Sequence, residues 1–397
     1  MPGIKVVIES QIALAENSLS RYIRGLVSAL AATDLGVEPC LLFSSPRPAS
    51  AVRQAHPWIP DNVGLSLLRG PESPYEIKRL QWLYWQCVLW PRACRRAGAE
   101  VFHSQYNRVP LVGRCPVATT VHDVFQWVPA LGRTRGKKDR IRLVWERHRY
   151  RRARVVVADS RNTRADFLRY VDPRHPDVDV VYPGVDPTFQ AAPAPHDPVV
   201  LARQGIGDAP YIFYVGDLQP RKDVPTLLRA FSAVRRSLRP PHLLVIGGGS
   251  WGQRVLEHQL AEELELGDSV LFTGRVAESY LPTLYRHARF FVFPSLYEGF
   301  GFPPLEAMAC GTPPVTFNIG GCTDAVRHLV TGYVVPAVDA RSLATGIETL
   351  LREESLRLSL GRQCRQVVVA EYGVVLEASR FRDLYVELLG ATRARKP

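Results

Sequence analysis

The chain has 397 residues, 46% of them hydrophobic and 22% charged, with a net charge of +12. That length suffices for two domains with full cores, and no apolar run approaches the roughly 18 residues of a membrane-spanning helix. The opening residues, Met1 to Glu9, read as a strand without a signal-peptide core, which points to a protein made and kept in the cytoplasm. The seven cysteines (Cys40, Cys87, Cys94, Cys115, Cys310, Cys322 and Cys364) show neither a CxxC nor metal-ligand spacing, so reduced and mostly buried thiols are expected.

In chain order, strand-like runs fall at 5–8, 39–43, 101–103, 117–121, 155–158 and 178–182. Helix-like runs between them fall at 19–31, 76–97, 138–150 and 163–170. Strands alternating with helices predict a parallel, doubly wound sheet. Within this half, residues 133–154 hold eleven Lys/Arg against Asp139 and Glu146, a local +9. The stretch reads either as a solvated helix face or as an electrostatic footprint for an anionic membrane surface or an anionic acceptor. No nucleic-acid-binding motif accompanies it, so nucleic acid is not an expected partner.

Residues 186–198 are rich in Pro and Ala and read as a linker. The pattern then restarts, with strands at 211–215, 243–246, 269–272, 290–293 and 314–316 and a last amphipathic helix near 376–389. The expected fold is therefore α/β: two Rossmann-like doubly wound domains, 1–190 and 199–375, facing a cleft, followed by a tail at 376–397. Ligands in such sheets sit at the carboxyl ends of the strands.

The densest segment runs from Phe293 to Asn318. Two carboxylates, Glu298 and Glu306, are separated by seven residues that include Gly299, Gly301 and the pair Pro303-Pro304. The order reads strand, glycine loop, helix: Pro303 suits a first helical turn, and Gly311 suits the position just past the helix end. Backbone N–H groups from Gly299 to Gly301 would then converge at a helix N-terminus, a site for an anion or a polyol. Glu306 is placed in the first helical turn, its carboxylate open to a diol. Earlier, Gly216 to Asp223 follows the first strand of the second half, and Arg221 and Lys222 project from that turn as two cations suited to a diphosphate. Gly247-Gly248-Gly249-Ser250 lacks GxGxxG and reads as a tight turn before a phosphate loop. In the first half, His122-Asp123 ends a strand, Ser160 and Asn162 read as a helix cap, Asp186 closes a turn, and His103 and Asn107 follow another strand.

The run around Glu298 and Glu306, with its flanks, resembles the E-x7-E segment of the retaining glycosyltransferases of family 4, which have the GT-B fold; the resemblance covers nearly the whole chain. It implies a nucleoside diphosphate sugar as donor and a glycan, lipid-linked or small-molecule acceptor. Glu306 would hold the ribose diol, and Arg221 and Lys222 the departing diphosphate. Glu298, Gly299, Phe300 and Gly301, with Leu305 and Gly216, would surround the donor. Arg275 and Val276 would neighbour the base, and His122 the donor sugar. Asn17, Arg21, Tyr22, His103 and Asn107 are the acceptor-side candidates. The stretch Ile12 to Tyr22 lacks the glycine-rich loop common in the family, although Arg21-Tyr22 still matches, so side chains of that loop would narrow the acceptor side. The last helix would cross back to the first domain. No cofactor and no metal are expected: the cations and helix dipoles take the metal's part in a front-face displacement that keeps the anomeric configuration. The resemblance also suits polysaccharide biosynthesis in the cytoplasm, with peripheral contact at the inner membrane face. Two alternatives stand beside it. One is a GT-B sugar-nucleotide epimerase or phosphorylase; the other is a non-enzymatic binder of anionic surfaces built on residues 133–154.

Overall fold

The computed structural model describes residues 3–15, 17–72, 79–106, 108–113, 115–129, 131, 136–235, 242–248 and 254–393. Asn107, Gly249, Ser250, residues 76–78 of the expected helix and residues 133–135 of the basic stretch lie outside them. The chain divides into two compact units, one of Met1–Asp186 with Tyr372–Pro397 and the other of Pro187–Glu371.

The first unit holds seven parallel strands: β1 (Ile4–Glu9), β2 (Val37–Ser44), β3 (Gly64–Leu68), β4 (Val101–Ser104), β5 (Val117–Val121), β6 (Val155–Ala158) and β7 (Val178–Val180). Their spatial order is β3-β2-β1-β4-β5-β6-β7, so the order reverses between β1 and β4. Every residue of β4, β5 and β6 is buried. Strands buried along their whole length are covered on both faces. Edge strand β3 has one buried residue in five, which is why no apolar run announces it in the sequence.

Two helices depart from their expected form. The run at 76–97 is α-helical over Arg79–Tyr84 and Trp90–Ala97 but π-helical over Trp85–Leu89. There the Trp90 N–H reaches back to the Trp85 carbonyl. Pro91 has no N–H to continue the ordinary ladder, and one wider turn accommodates it. The second is the run at 163–170, which forms as a helix over Arg161–Asp166 and a π turn over Phe167–Val171. Ser160 caps it, its Oγ accepting the Thr163 N–H at 2.8 Å.

The last helix, Val374–Arg393, belongs to the first unit. Gly184 seats it: a Cβ there would lie 2.4 Å from the Val374 Cα. The Gly184 N–H donates to the Glu377 carboxylate at 2.9 Å, and the Val185 N–H donates to the Tyr372 carbonyl at 2.9 Å.

The second unit holds β8 (Tyr211–Val215), β9 (Leu243–Gly247), β10 (Val270–Gly274), β11 (Phe291–Phe293), β12 (Pro314–Phe317) and β13 (Tyr333–Val335). They form a parallel sheet in the order β10-β9-β8-β11-β12-β13, which reverses between β8 and β11. Three-residue β13, at the sheet edge, is not among the strands expected from the sequence.

The segment read as a linker is tied to the second unit. Arg286 donates to both oxygens of Asp197 at 2.9 and 3.1 Å, and to the carbonyls of Gln190 and Ala192 at 2.8 and 3.1 Å. Thr283 donates to Asp197 at 2.6 Å. Burial works to raise the Asp197 carboxyl, but the Ala194 N–H, Thr283, His287 and Arg286 hold it well below the carboxylate range. The boundary thus falls at Asp186/Pro187 because one buried guanidinium collects the segment that follows. No described helix is long and apolar enough to cross a membrane.

Candidate functional site

In the second unit the loops after β8, β9, β10 and β11 share one sheet edge, because all strands run parallel. The point where strand order reverses, between β8 and β11, opens a crevice at that edge. The loop after β8 contributes Arg221 and Lys222, and the loop after β11 contributes Glu298. The Leu296 N–H donates to the Arg221 carbonyl at 2.7 Å and ties the two loops together.

Glu298 Oε1 accepts from Lys222 Nζ at 2.5 Å and from Arg221 Nη1 at 3.0 Å. Arg221 Nη1 also lies 3.3 Å from the Tyr297 carbonyl oxygen. Lys222 is not the exposed residue that its turn suggested. It is 7% exposed, with its ammonium 4.8 Å above the Phe293 ring. Burial works to raise the Glu298 carboxyl, but Lys222 first and then Arg221 bring it below its ordinary value. Two cations and one carboxylate therefore share this point, leaving it net positive and preorganised for an anion.

The helix after the glycine loop runs over Phe302–Ala309, so Glu306 is its fifth residue and not part of its first turn. Pro303 and Pro304 occupy the start, where missing N–H groups cost nothing. Glu306 is 5% exposed and accepts from Tyr285 Oη at 3.0 Å. Gly311 (φ +77°) ends the helix in the left-handed region. Its N–H bonds the Met308 carbonyl, and the Thr312 N–H bonds the Ala307 carbonyl, both at 3.0 Å.

Gly301 (φ +98°) is required on two counts: its backbone is left-handed, and a Cβ would lie 2.7 Å from Cys322 Sγ. Phe300 and Leu305 are buried, at 2% and 1% exposure. Both pack the loop and helix from within, so their side chains do not line an open donor surface. Gly248 makes a tight turn, since a Cβ there would lie 2.2 Å from the Gly216 carbonyl oxygen. Its N–H donates to Gly274 at 2.6 Å, and the Gly216 N–H donates to Gly247 at 3.2 Å. Three strand ends close-pack in this way beside Val276 and the exposed Arg275.

In the first unit, His122 follows β5. Its Nε2 lies 3.0 Å from the Gln105 carbonyl oxygen, its Nδ1 lies 3.5 Å from Asp159 Oδ2, and its ring meets Tyr22 edge-on at 5.1 Å. Asp159, directly after β6, is 1% exposed, and burial pushes its carboxyl up to about 6 despite His122 and Thr163. Behind Tyr22 lies Glu377, which burial pushes up to about 8.

His103 takes a different role from the acceptor-side one expected. It is fully buried, its Nδ1 2.7 Å from Tyr385 Oη and its Nε2 2.8 Å from Thr120 Oγ1. Burial and then His122 hold it down to about 3, so it is a neutral ring pinning the last helix to the sheet. Asn17 is a helix cap, its Oδ1 accepting the Ser20 N–H at 2.9 Å. Arg21 is half-buried and Tyr22 is 4% exposed in the same helix. The loop without glycine is a 3-10 turn over Gln11–Leu14, held by Gln11, which accepts the Ser44 N–H at 2.7 Å and donates to the Glu72 carbonyl at 2.5 Å.

Asp159 and Tyr285 escaped the sequence reading, as did the pair Glu9 and Arg108, which stand 3.6 Å apart at the β1/β4 reversal. Asp159 and Glu9 each sit where an apolar strand run ends in a carboxylate, a signal the sequence carried. Tyr285 lies in a helix and carried none. Among the described residues no group of three or more His, Cys, Asp or Glu comes together as a metal site.

Comparison with known proteins gives a consistent picture. Residues 201–367 match the family model "Glycosyl transferases group 1", and residues 19–189 match "Glycosyltransferase Family 4". A D-inositol 3-phosphate glycosyltransferase of Salinispora arenicola is 32% identical over 303 residues, covering 70% of this chain and 67% of that protein. A GDP-mannose-dependent alpha-(1-6)-phosphatidylinositol monomannoside mannosyltransferase of Mycobacterium tuberculosis is 31% identical over 237 residues, covering 58% of this chain and 60% of the relative. Among solved structures, sucrose-phosphate synthase from Thermosynechococcus elongatus superposes with a TM-score of 0.77 at 25% identity, covering 98% of this chain and all of that one. Anabaena HepE in complex with UDP and glucose gives 0.74 at 17% identity, over 97% of this chain and all of that one.

Proposed function

Because the chain belongs to the family 4 glycosyltransferases of the GT-B fold, we propose that it moves a hexosyl group from a nucleoside diphosphate sugar to a glycan, lipid-linked or small-molecule hydroxyl, with retention at the anomeric carbon. The observation that carries this reading is the convergence of Arg221 and Lys222 on Glu298 at the β8/β11 reversal. In the reaction the bond from the sugar C1 to the diphosphate oxygen breaks, and a bond from C1 to the acceptor oxygen forms on the same face. The acceptor proton passes to the leaving diphosphate. Negative charge grows on the leaving oxygen, and fixed cations beside it lower the barrier without reorganisation. Arg221 and Lys222 fill that role in place of a metal ion. Glu306, oriented by Tyr285, accepts from the ribose hydroxyls. In the first unit, His122 has the donor-sugar role that the family resemblance gives it. A relative named for GDP-mannose and phosphatidylinositol monomannoside supports a mannosyl donor with a lipid-linked acceptor.

Calorimetry on Glu306→Gln tests the donor site. Hydrogen bonds to a charged group contribute roughly 1.5–3 kcal/mol, so affinity for GDP-mannose or UDP-glucose, whichever binds the wild type, should fall by at least about tenfold. Wild-type affinity would remove the ribose role. A transfer assay with and without EDTA, read by the anomeric proton of the product, tests the rest. Loss of transfer on chelation, restored by magnesium or manganese, would defeat the metal-free mechanism, and a β-linked product from an α-linked donor would defeat retention.

The helix Lys137–Arg152 supports peripheral attachment at the inner face of the cytoplasmic membrane. It exposes Ile141 (54%), Val144 (67%) and Trp145 (45%) amid the exposed Arg140, Arg142 and Arg152. An apolar ridge among cations suits the boundary of an anionic bilayer. Flotation with anionic vesicles should recover the protein and neutral vesicles should not. Equal recovery from both would leave a solvated helix face.

A further inference from the structure

The second unit has a cavity of about 950 Å3 at the amino edge of its sheet, opposite the edge that carries Lys222 and Glu298. Pro210 and Pro313, directly before β8 and β12, line it, as does Arg289, two residues before β11. Of the described residues lining it, five are arginines and one, Asp208, is a carboxylate. Two of the arginines are committed to the protein. Arg286 holds Asp197 and the carbonyls of Gln190 and Ala192. Arg365 donates to the Phe189 carbonyl at 3.3 Å and to the Ala309 carbonyl. The other three, Arg289, Arg357 and Arg362, are held less completely. Arg357 is 6% exposed and donates to the Leu350 carbonyl and to Glu354, each at 2.9 Å. The Glu354 side chain is 66% exposed, so water screens that pair. Burial and then the nearby Arg289 work against the charge on Arg357, and Glu354 offsets only part of this. Arg289 and Arg362 are exposed, and among the described residues no carboxylate pairs with either.

We propose that this cavity is a second ligand site, which takes a small phosphate-bearing molecule between Arg289, Arg357 and Arg362. Like charges gathered around one space repel, and an anion placed among them removes that cost. Asp197, Asp208 and Glu354 set against the five arginines still leave an excess of two positive charges. Guanidinium forks meet phosphate oxygens two at a time, and this excess suits a phosphate better than a single carboxylate. The volume is that of a site for an organic ligand, roughly 300–1,000 Å3, and not for a lone ion. Leu201, Pro210 and Leu358 supply apolar wall for the rest of such a molecule. The helix Glu354–Glu371 is fixed in place by Gly361, where a Cβ would lie 2.5 Å from the Gly311 carbonyl oxygen. That close seat carries Arg357 and Arg362, on either side of Gly361 in sequence, to the cavity. The site uses none of the residues of the donor crevice and so goes beyond the proposed reaction.

The test is calorimetry with inorganic pyrophosphate on the full chain carrying Arg221→Ala, which weakens the other point suited to a diphosphate. Saturable binding is expected there. Adding Arg289→Gln and Arg362→Gln, both at exposed positions, should weaken it by about tenfold or more, as the loss of charged hydrogen bonds implies. Arg341→Gln with Arg352→Gln removes the same charge from the helix Ala340–Arg352 of the same unit, and salt screening should hold its effect to about twofold. In a chain with Arg221 intact, Arg289→Gln with Arg362→Gln should remove one pyrophosphate site, a reading that stands if Arg221→Ala fails to fold. Absence of saturable binding in Arg221→Ala overturns the proposal, and so does equal binding with and without Arg289 and Arg362. Equal weakening by the two double variants also overturns it, in favour of a general field. Binding of phosphatidic acid vesicles that needs Arg289 and Arg362, with no binding of pyrophosphate, would overturn it in favour of a lipid headgroup. No sugar donor enters these titrations, so a failure here is separate from a failure of the proposed reaction.

Discussion

At the residue scale the second unit turns on one carboxylate serving two cations. Lys222 is nearly enclosed, and Glu298 is the anion that the described contacts give it. Removing one partner of a buried pair leaves an uncompensated charge, which costs about 3–5 kcal/mol. Glu298→Gln should therefore lower the stability of the second unit by about 3 kcal/mol, measured as the shift in the urea midpoint. Adding Lys222→Met should recover a large part of that loss, because the stranded charge is then gone. A midpoint equal to wild type in the single variant would show that the ammonium finds solvent or another acceptor, and the shared-carboxylate account would fall. The same pair explains why Glu298 is better described as holding the cations than as attacking the sugar: its Oε1 lies within hydrogen-bonding distance of both.

At the element scale, the turn from β11 into the helix Phe302–Ala309 depends on where Cβ atoms are absent. Gly301 takes φ +98° against Cys322 Sγ, and Gly320 takes φ +55° with its Cβ position 2.6 Å from the Glu298 carbonyl oxygen. Left-handed backbone on a residue with a side chain costs of order 1–3 kcal/mol, and the sulfur contact adds to it. Gly301→Ala is expected to destabilise the unit by about 2–3 kcal/mol and to weaken the stabilisation given by a donor in a thermal-shift series. Cys322→Ala in the same chain should relieve the contact but not the backbone term, so recovery should be partial. Complete recovery would mean that φ contributes nothing; no recovery would mean that the contact does not.

At the scale of the whole molecule, the last helix is held to the first unit partly by a buried carboxyl. Glu377 accepts the Gly184 N–H and sits beside Tyr22, and burial raises its proton affinity from an ordinary 4.5 to about 8. The folded state therefore binds this proton more tightly than the unfolded chain. The stabilisation is fully present below pH 4.5 and is lost as pH rises through 8. Asp159, raised to about 6, acts in the same direction at lower pH, so the window from 6 to 8 belongs mainly to Glu377. Stability of the first unit should fall across that window by up to roughly 1.4 kcal/mol per pH unit, and Glu377→Gln should flatten the slope. Urea unfolding of both proteins at pH 6, 7 and 8 checks this; parallel slopes would remove Glu377 from the account.

The sequence by itself determined the two parallel sheets, the helices between them and the strand-loop-helix segment carrying Glu298 and Glu306. Those features follow from periodicity, from caps such as Ser160, and from glycines and prolines whose backbone limits are local. It did not announce β3, with one buried residue in five, or the three residues of β13, both at a sheet edge. Tertiary structure alone decided the partners. Lys222 finds Glu298 76 residues away because β8 and β11 are sheet neighbours, and His103 finds Tyr385 282 residues away because the last helix returns to the first unit. Arg286 gathers the Pro/Ala segment for the same kind of reason. Which charge a buried group meets depends on which strands lie side by side, and no spacing along the chain encodes that.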